Sequence, residues 1–225
     1  MITPKINAIL QQVRSMIKRD PDRFLRKVSG VIHVGANTGQ ERKLYAEYGL
    51  RVIWIEPIPE VFEKLKENVA EFSQQRALKC LVTDQDNVAY PFHIANNEGH
   101  SSSILDLNLH KDIWPQVAYE KTITLRSKTL PSLLEEEHVD CSEYDSLIMD
   151  TQGSELLVLK GAVSILKNFT YIKTEVPDFE SYTGCCQLTD ISSFLAFRGY
   201  SEFSRQKNVE HPHGGSYDVV YKREA

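Results

Sequence analysis

One stretch restricts the fold more than any other: Val31-Ile32-His33-Val34-Gly35-Ala36-Asn37-Thr38-Gly39-Gln40-Glu41. A short, mostly apolar run gives way to a loop with two glycines four apart, and a helical pattern follows at once. An apolar run without alternation reads as a parallel strand buried on both faces. Gly35 and Gly39 permit positive φ and close backbone approach at the turn. Thr38 and Glu41 match a capping box and predict a helix over residues 38–48, closed by Gly49. A second apolar run, Val52-Ile53-Trp54-Ile55, stops at Glu56. A glycine-bearing first turn followed by an acid closing the next strand is an arrangement that holds a nucleoside, with backbone beneath it and carboxylate on its ribose hydroxyls. The dinucleotide fingerprint needs a middle glycine against the pyrophosphate. Asn37 occupies that position and would crowd a pyrophosphate. S-adenosylmethionine carries no phosphate, and Asn37 can hydrogen-bond beside its methionyl part. A strand-turn-helix corner without a ligand is the plainer alternative.

The rest of the chain repeats the pattern. Pro57 and Pro59 open a helix over 60–72 that turns Val61, Phe62, Leu65 and Val69 inward, and a third apolar run, 77–82, leads to Asp84. Strand and helix alternating at this spacing imply a parallel sheet with right-handed crossovers, whose strand ends share one ligand-binding edge. On that edge Asp84 either meets an adenine amino group or is a solvated turn residue. An added strand over 90–95 and a polar loop, 96–103, follow. An irregular stretch over 104–121 could roof the strand ends. Thr122 to Leu125 reads as a strand, 131–138 as a helix and 146–149 as a strand ending at Asp150. A helix over 154–167 points Leu156, Leu159, Val163 and Leu166 inward, and 171–174 forms a strand ending at Glu175. After a helix over 188–197 the final runs, 200–203 and 217–222, pair antiparallel across a loop too short for a crossover. The expected architecture is α/β and Rossmann-like, mainly parallel with an antiparallel C-terminal hairpin. Residues 1–28 form an N-terminal helical extension, with a helix over 2–19, and residues 29–225 form one domain.

Composition excludes some functions. At 225 residues with 41% hydrophobic and 25% charged content, the chain suits one globular domain. A net charge of −5 argues against a general nucleic-acid surface, and no apolar run approaches membrane-spanning length. Cys80, Cys141, Cys185 and Cys186 lack zinc-type spacing and fit reduced thiols in a cytoplasm.

In order, Val34-Gly35-Ala36-Asn37-Thr38-Gly39, Ile55-Glu56-Pro57, Ala95-Asn96-Asn97 with Gly99 and Ser101-Ser102-Ser103, Met149-Asp150-Thr151-Gln152-Gly153-Ser154-Glu155 with Leu159-Lys160-Gly161-Ala162, and Lys173 with Glu175-Val176 resemble the FkbM-family methyltransferases. The resemblance runs from about residue 30 to 200. It implies a class I S-adenosylmethionine-dependent fold that transfers a methyl group to a hydroxyl oxygen, often of a sugar or other small natural-product acceptor. It puts Gly35, Asn37 and Gly39 beneath the cofactor, Glu56 on its ribose and Asp84 near its adenine; Ala36, Pro57 and Asp150 complete the expected cofactor-binding set. The chain departs from the family at His33, where an aspartate is common, and at Leu130-Pro131, where Leu-Asp is common.

Methyl transfer to an alcohol requires an acceptor oxygen held in line and a base to take its proton. Asp150 is the expected base, or the grip on the acceptor hydroxyl. Glu175, closing the neighbouring strand, is placed for a second hydroxyl. His100, beside the serine run, is either an alternative base or a polar loop residue. Glu155 is expected to stabilise the start of its helix rather than to catalyse. His211 and His213 read as structural or lid residues, and no metal is expected. The expected partner is a small hydroxyl-bearing acceptor, neither nucleic acid nor membrane. A nicotinamide oxidoreductase and a non-catalytic binding module are the competing functions.

Overall fold

A computed structural model describes residues 22–224; the helix expected over 2–19 lies outside the described residues. A 3-10 turn, Arg23–Lys27, precedes β1, Gly30–Val34. Then come α1 (Arg42–Glu47), β2 (Arg51–Ile55), α2 (Pro59–Val69), β3 (Gln75–Leu78), β4 (Leu81–Val82) and β5 (Ala89–Ala95). The middle of the chain holds α3 (His110–Ile113), β6 (Tyr119–Lys128), α4 (Leu130–Glu136), β7 (Ser146–Met149) and α5 (Glu155–Gly161). It closes with β8 (Tyr171–Pro177), α6 (Leu188–Ala196), β9 (Tyr200–His211) and β10 (Gly214–Arg223).

Seven strands form one sheet in the order β3-β2-β1-β7-β8-β10-β9, and β4, β6 and β5 form a small second sheet. β3, β2, β1, β7 and β8 run parallel, and β10 lies antiparallel to β8 and β9. This is the mainly parallel sheet with a closing hairpin that the apolar runs imply. Successive residues of one strand serve opposite faces. Ile32 and Val34 join Ile53, Ile55, Leu147 and Met149 beneath α4, α5 and α6. Val31 joins Val52, Trp54 and Ile148 on the other face, with Tyr45 of α1 and Leu65 and Val69 of α2. Each such fully buried aliphatic side chain contributes about 1.5–3 kcal/mol. Phe24 and Leu25 are buried in the same second cluster, so the residues just before position 29 pack with the sheet.

Several boundaries differ from the sequence reading. The helix expected from residue 38 starts at Arg42, without a side-chain cap. Thr38 is not the cap, because the cap position falls three residues later at Glu41, and the Thr38 N–H that a capping-box Glu41 would take goes to the Asn37 side chain at 2.7 Å. The run 77–82 is not one strand: β3 ends at Leu78, while Leu81 and Val82 leave to pair with Ser127 and Lys128 of β6. Helix α5 ends at Gly161, leaving Val163 47% exposed rather than inward. The last two strands extend to His211 and from Gly214, nearly consuming the loop expected between them.

Candidate active site

The tips of β1, β2 and β7 surround an open hollow of about 190 Å³. One side is the loop Gly35–Asn37; the far wall is apolar, formed by Ile58, Leu81, Val82 and Phe92. Gly35, at φ 80°, has no room for a side chain, because a Cβ there would overlap the carbonyl of Asp150. The absence of that methyl lets the β1 and β7 tips meet. Glu56, only 4% exposed, reaches into the loop. One carboxylate oxygen accepts the Asn37 N–H at 2.8 Å and the other accepts the Ile58 N–H at 2.9 Å. Burial, partly offset by those two N–H groups, pushes the Glu56 carboxyl up to about 7. Each oxygen keeps a lone pair for a further donor. Thr151 lines the same hollow, and its hydroxyl is buried without a partner. A carboxylate, an apolar slot and an unsatisfied hydroxyl make a donor and acceptor set that fits an adenosine-type ligand bearing an amino-acid tail.

A second hollow, about 340 Å³, lies beside the first. His100, Asp150 and Gln152 line both. The second also has aromatic walls, His110, Trp114, Phe179 and Tyr182, together with Glu155 and Glu175. Gln152 orients the shared carboxylate. Its amide donates to Asp150 Oδ1 at 2.5 Å, while the Tyr182 hydroxyl donates to Gln152 Oε1 at 2.5 Å. Asp150 is pushed well above the usual carboxylate range by burial, and the charge of Glu175 adds to that. Glu175 is raised by burial and by Asp218, while the Ser216 hydroxyl donates to it at 3.0 Å. Behind both acids a polar hollow holds Lys173, whose ammonium lies 2.8 Å from Asp22 and 3.5 Å from Asp218. Burial opposes that charge, and the carboxylates more than offset it, so Lys173 is raised.

Of the sequence-named residues, Gly35, Ala36, Asn37, Glu56, Pro57, His100 and Asp150 line the first hollow, and Glu175 lines the second. Asn37 spends its side chain on the protein, accepting from Thr38 and Gln40 and donating to the Glu98 carbonyl. Gly39 lines neither hollow; at φ 71° it makes room for Leu65 of α2. Asp84 lines neither, because the third strand splits and carries it to Gly161 at the end of α5. Glu155, 1% exposed, accepts the Thr151 and Gly153 N–H groups and so fixes the loop after Asp150. His33 stacks on Trp54 at 5.0 Å and meets the Tyr45 hydroxyl; burial pushes it down to about 4, so it is neutral where the family commonly has an acid. His211 stacks on Phe179 at 4.6 Å between ring centroids. The sequence reading missed Gln152, Tyr182 and His110. Gln152 stands inside a quoted motif beside Asp150, which was the available signal; the other two are brought in by the long-range bridge between Leu107 and Tyr182. Among the described residues no group of three or more His, Cys, Asp or Glu is arranged to hold a metal, and no helix is long and apolar enough to cross a membrane.

Solved structures share the fold. The METTL16 methyltransferase domain superposes with a TM-score of 0.53 at 12% identity, covering 91% of this chain and 65% of that one. A proposed tRNA (m1A22) methyltransferase from Streptococcus pneumoniae, in complex with S-adenosyl-L-methionine, gives 0.51 at 10% identity and covers 89% and 71%. Magnesium protoporphyrin IX methyltransferase from Synechocystis PCC 6803, with the same molecule bound, gives 0.50 at 11% identity and covers 95% and 83%. No curated protein matches the sequence. The family model of the methyltransferase FkbM domain matches residues 33–202, from within β1 into β9. The chain is therefore a member of the FkbM-domain methyltransferases, a family dependent on S-adenosylmethionine.

Proposed function

We propose that the protein methylates a hydroxyl of a small polyhydroxylated acceptor, with S-adenosylmethionine in the first hollow and the acceptor in the second. The observation that carries this reading is the shared wall: Asp150, Gln152 and His100 face both hollows. Glu56 would take the ribose hydroxyls, Ile58, Leu81, Val82 and Phe92 the adenine, and Thr151 the amino-acid end. S-adenosylmethionine supplies a methyl group already activated on a sulfonium. The protein must then hold the acceptor and remove its proton, and positioning alone accounts for roughly 7–11 kcal/mol in favourable cases.

Asp150 suits the base. Gln152 ties down one oxygen and leaves the other for the acceptor hydroxyl, and a carboxyl raised above its ordinary range is a stronger base than an exposed one. Glu175 has its Ser216 donor on one oxygen and can grip a neighbouring hydroxyl with the other. Flat aromatic faces beside carboxylates suit the ring and hydroxyls of a sugar. The same carboxylates, in a chain of net charge −5, oppose a phosphate backbone.

The test is a screen with methyl-labelled S-adenosylmethionine against monosaccharides, methyl glycosides, simple alcohols and a short RNA. Label in a glycoside or alcohol supports the reading. Label only in RNA overturns the acceptor class, and cofactor binding without label in any arm favours a non-catalytic module.

A further inference from the structure

The second hollow contains an unsatisfied group that neither the sequence motifs nor the reaction described above uses. His110 lines that hollow, is 3% exposed, and its Nδ1 is buried without a hydrogen-bond partner. Nearly all buried polar atoms in folded proteins are satisfied, so an orphan in a residue that lines a cavity points to a partner that arrives with a ligand. Of the three buried histidines among the described residues, the other two are engaged: His33 with the Tyr45 hydroxyl at 3.2 Å, and His211 with Asp112 at 3.4 Å.

The ring is held ready. Trp114 lies at 4.7 Å and Tyr182 at 5.2 Å between ring centroids, both tilted, which limits rotation of the imidazole. The backbone beneath it is fixed from a distant part of the chain: the N–H groups of Asn108 and His110 both donate to the Ser181 carbonyl at 3.0 Å. The Trp114 N–H returns to the His110 carbonyl at 3.0 Å. Tyr182 is also the residue that holds Gln152, so the His110 ring packs on the support of the Asp150 carboxylate. Burial pushes His110 down to about 4, which leaves an uncharged ring with one donor and one acceptor nitrogen near neutrality.

We infer that His110 is a recognition residue of the second hollow, its Nδ1 hydrogen-bonding a hydroxyl of the acceptor that is not the one methylated. This rests on the reading of that hollow as the acceptor site. A preset, uncharged ring favours hydroxyl groups over ionic ones and adds specificity without competing with Asp150 for the transferred proton. His110 therefore acts on acceptor affinity rather than on the chemical step.

The test uses the full chain saturated with S-adenosylhomocysteine and titrated with the methyl glycosides of glucose, galactose, rhamnose and xylose. His110→Phe keeps an aromatic ring between Trp114 and Tyr182 but removes the nitrogen; His110→Asn offers a polar atom near the Nδ1 position. Loss of one hydrogen bond predicts about tenfold weaker binding of the preferred glycoside in H110F, with recovery to within about threefold in H110N. S-adenosylhomocysteine affinity is expected to be unchanged in both, which also reports that they fold. Equal glycoside affinity in wild type and H110F overturns the assignment while leaving the acceptor site intact. Failure of all four glycosides to bind the wild type overturns the acceptor reading, and this inference with it.

Discussion

Glu56 should make cofactor affinity and protein stability respond to pH in opposite directions. Its folded-state value of about 7 stands above the ordinary 4.5, chiefly through burial. An acid raised on folding gives stability that is present below about pH 4.5 and lost as pH rises through about 7. The shift corresponds to roughly 3 kcal/mol before relaxation. Ribose hydroxyls, by contrast, donate to the ionised form. At about pH 5.5 only some 3% of the carboxyl is ionised in the free protein, so affinity should be about 30-fold weaker than at about pH 8, or about 2 kcal/mol. Calorimetric titration with S-adenosylhomocysteine across that range, paired with thermal melts of the free protein, reads both quantities. Glu56→Gln should flatten both slopes. It should also bind about 10- to 100-fold more weakly at about pH 8, because the amide sets a donor against an N–H now held by carboxylate. Wild-type affinity constant within about threefold, or an unchanged slope in E56Q, would refute the assignment of Glu56 to the ribose.

Three further substitutions address other parts of the site. Gly35→Ala combines positive φ with overlap of the Asp150 carbonyl and should destabilise by about 3 kcal/mol or more; a urea midpoint near wild type would contradict the close approach of β1 and β7. Glu155→Gln leaves one loop N–H facing an amide donor and should lower stability by about 1–3 kcal/mol, and an unshifted midpoint would show that the loop does not depend on it. Asp150→Asn should lower turnover about 10²–10⁴-fold, far more than it weakens cofactor affinity. The wild-type rate should rise with pH through a value well above the ordinary carboxylate range, since the ionised form is the active one, and that limb should vanish in D150N; its persistence would move the base elsewhere.

The sheet was legible because its strands are written in local chemistry. Val31–Val34, Val52–Ile55 and Ser146–Met149 are continuous buried runs, and each ends where the sequence places a glycine or an acid. Errors arose where a local pattern had a non-local competitor. Thr38 and Glu41 spell a capping box, yet Asn37 takes the Thr38 N–H first. Residues 77–82 look like one strand because hydrophobicity cannot say which sheet a residue joins; the pairing of Leu81 and Val82 with β6 decides it and removes Asp84 from the hollow. Gly39 was read for its ligand when its room is used by Leu65. His110 and Tyr182 lay beyond sequence reasoning for the same cause, since only the folded chain brings segments seventy residues apart to one wall.

Asp150 faces three hollows at once, and its readiness to accept a proton is set by all of them. Buried, and beside the charge of Glu175, the side chain favours its protonated form. A cation seated across the wall would tip it toward ionisation, so that methyl-donor loading and base activation would become one event. On the proposed reaction, the donor would arm the base that its own transfer needs.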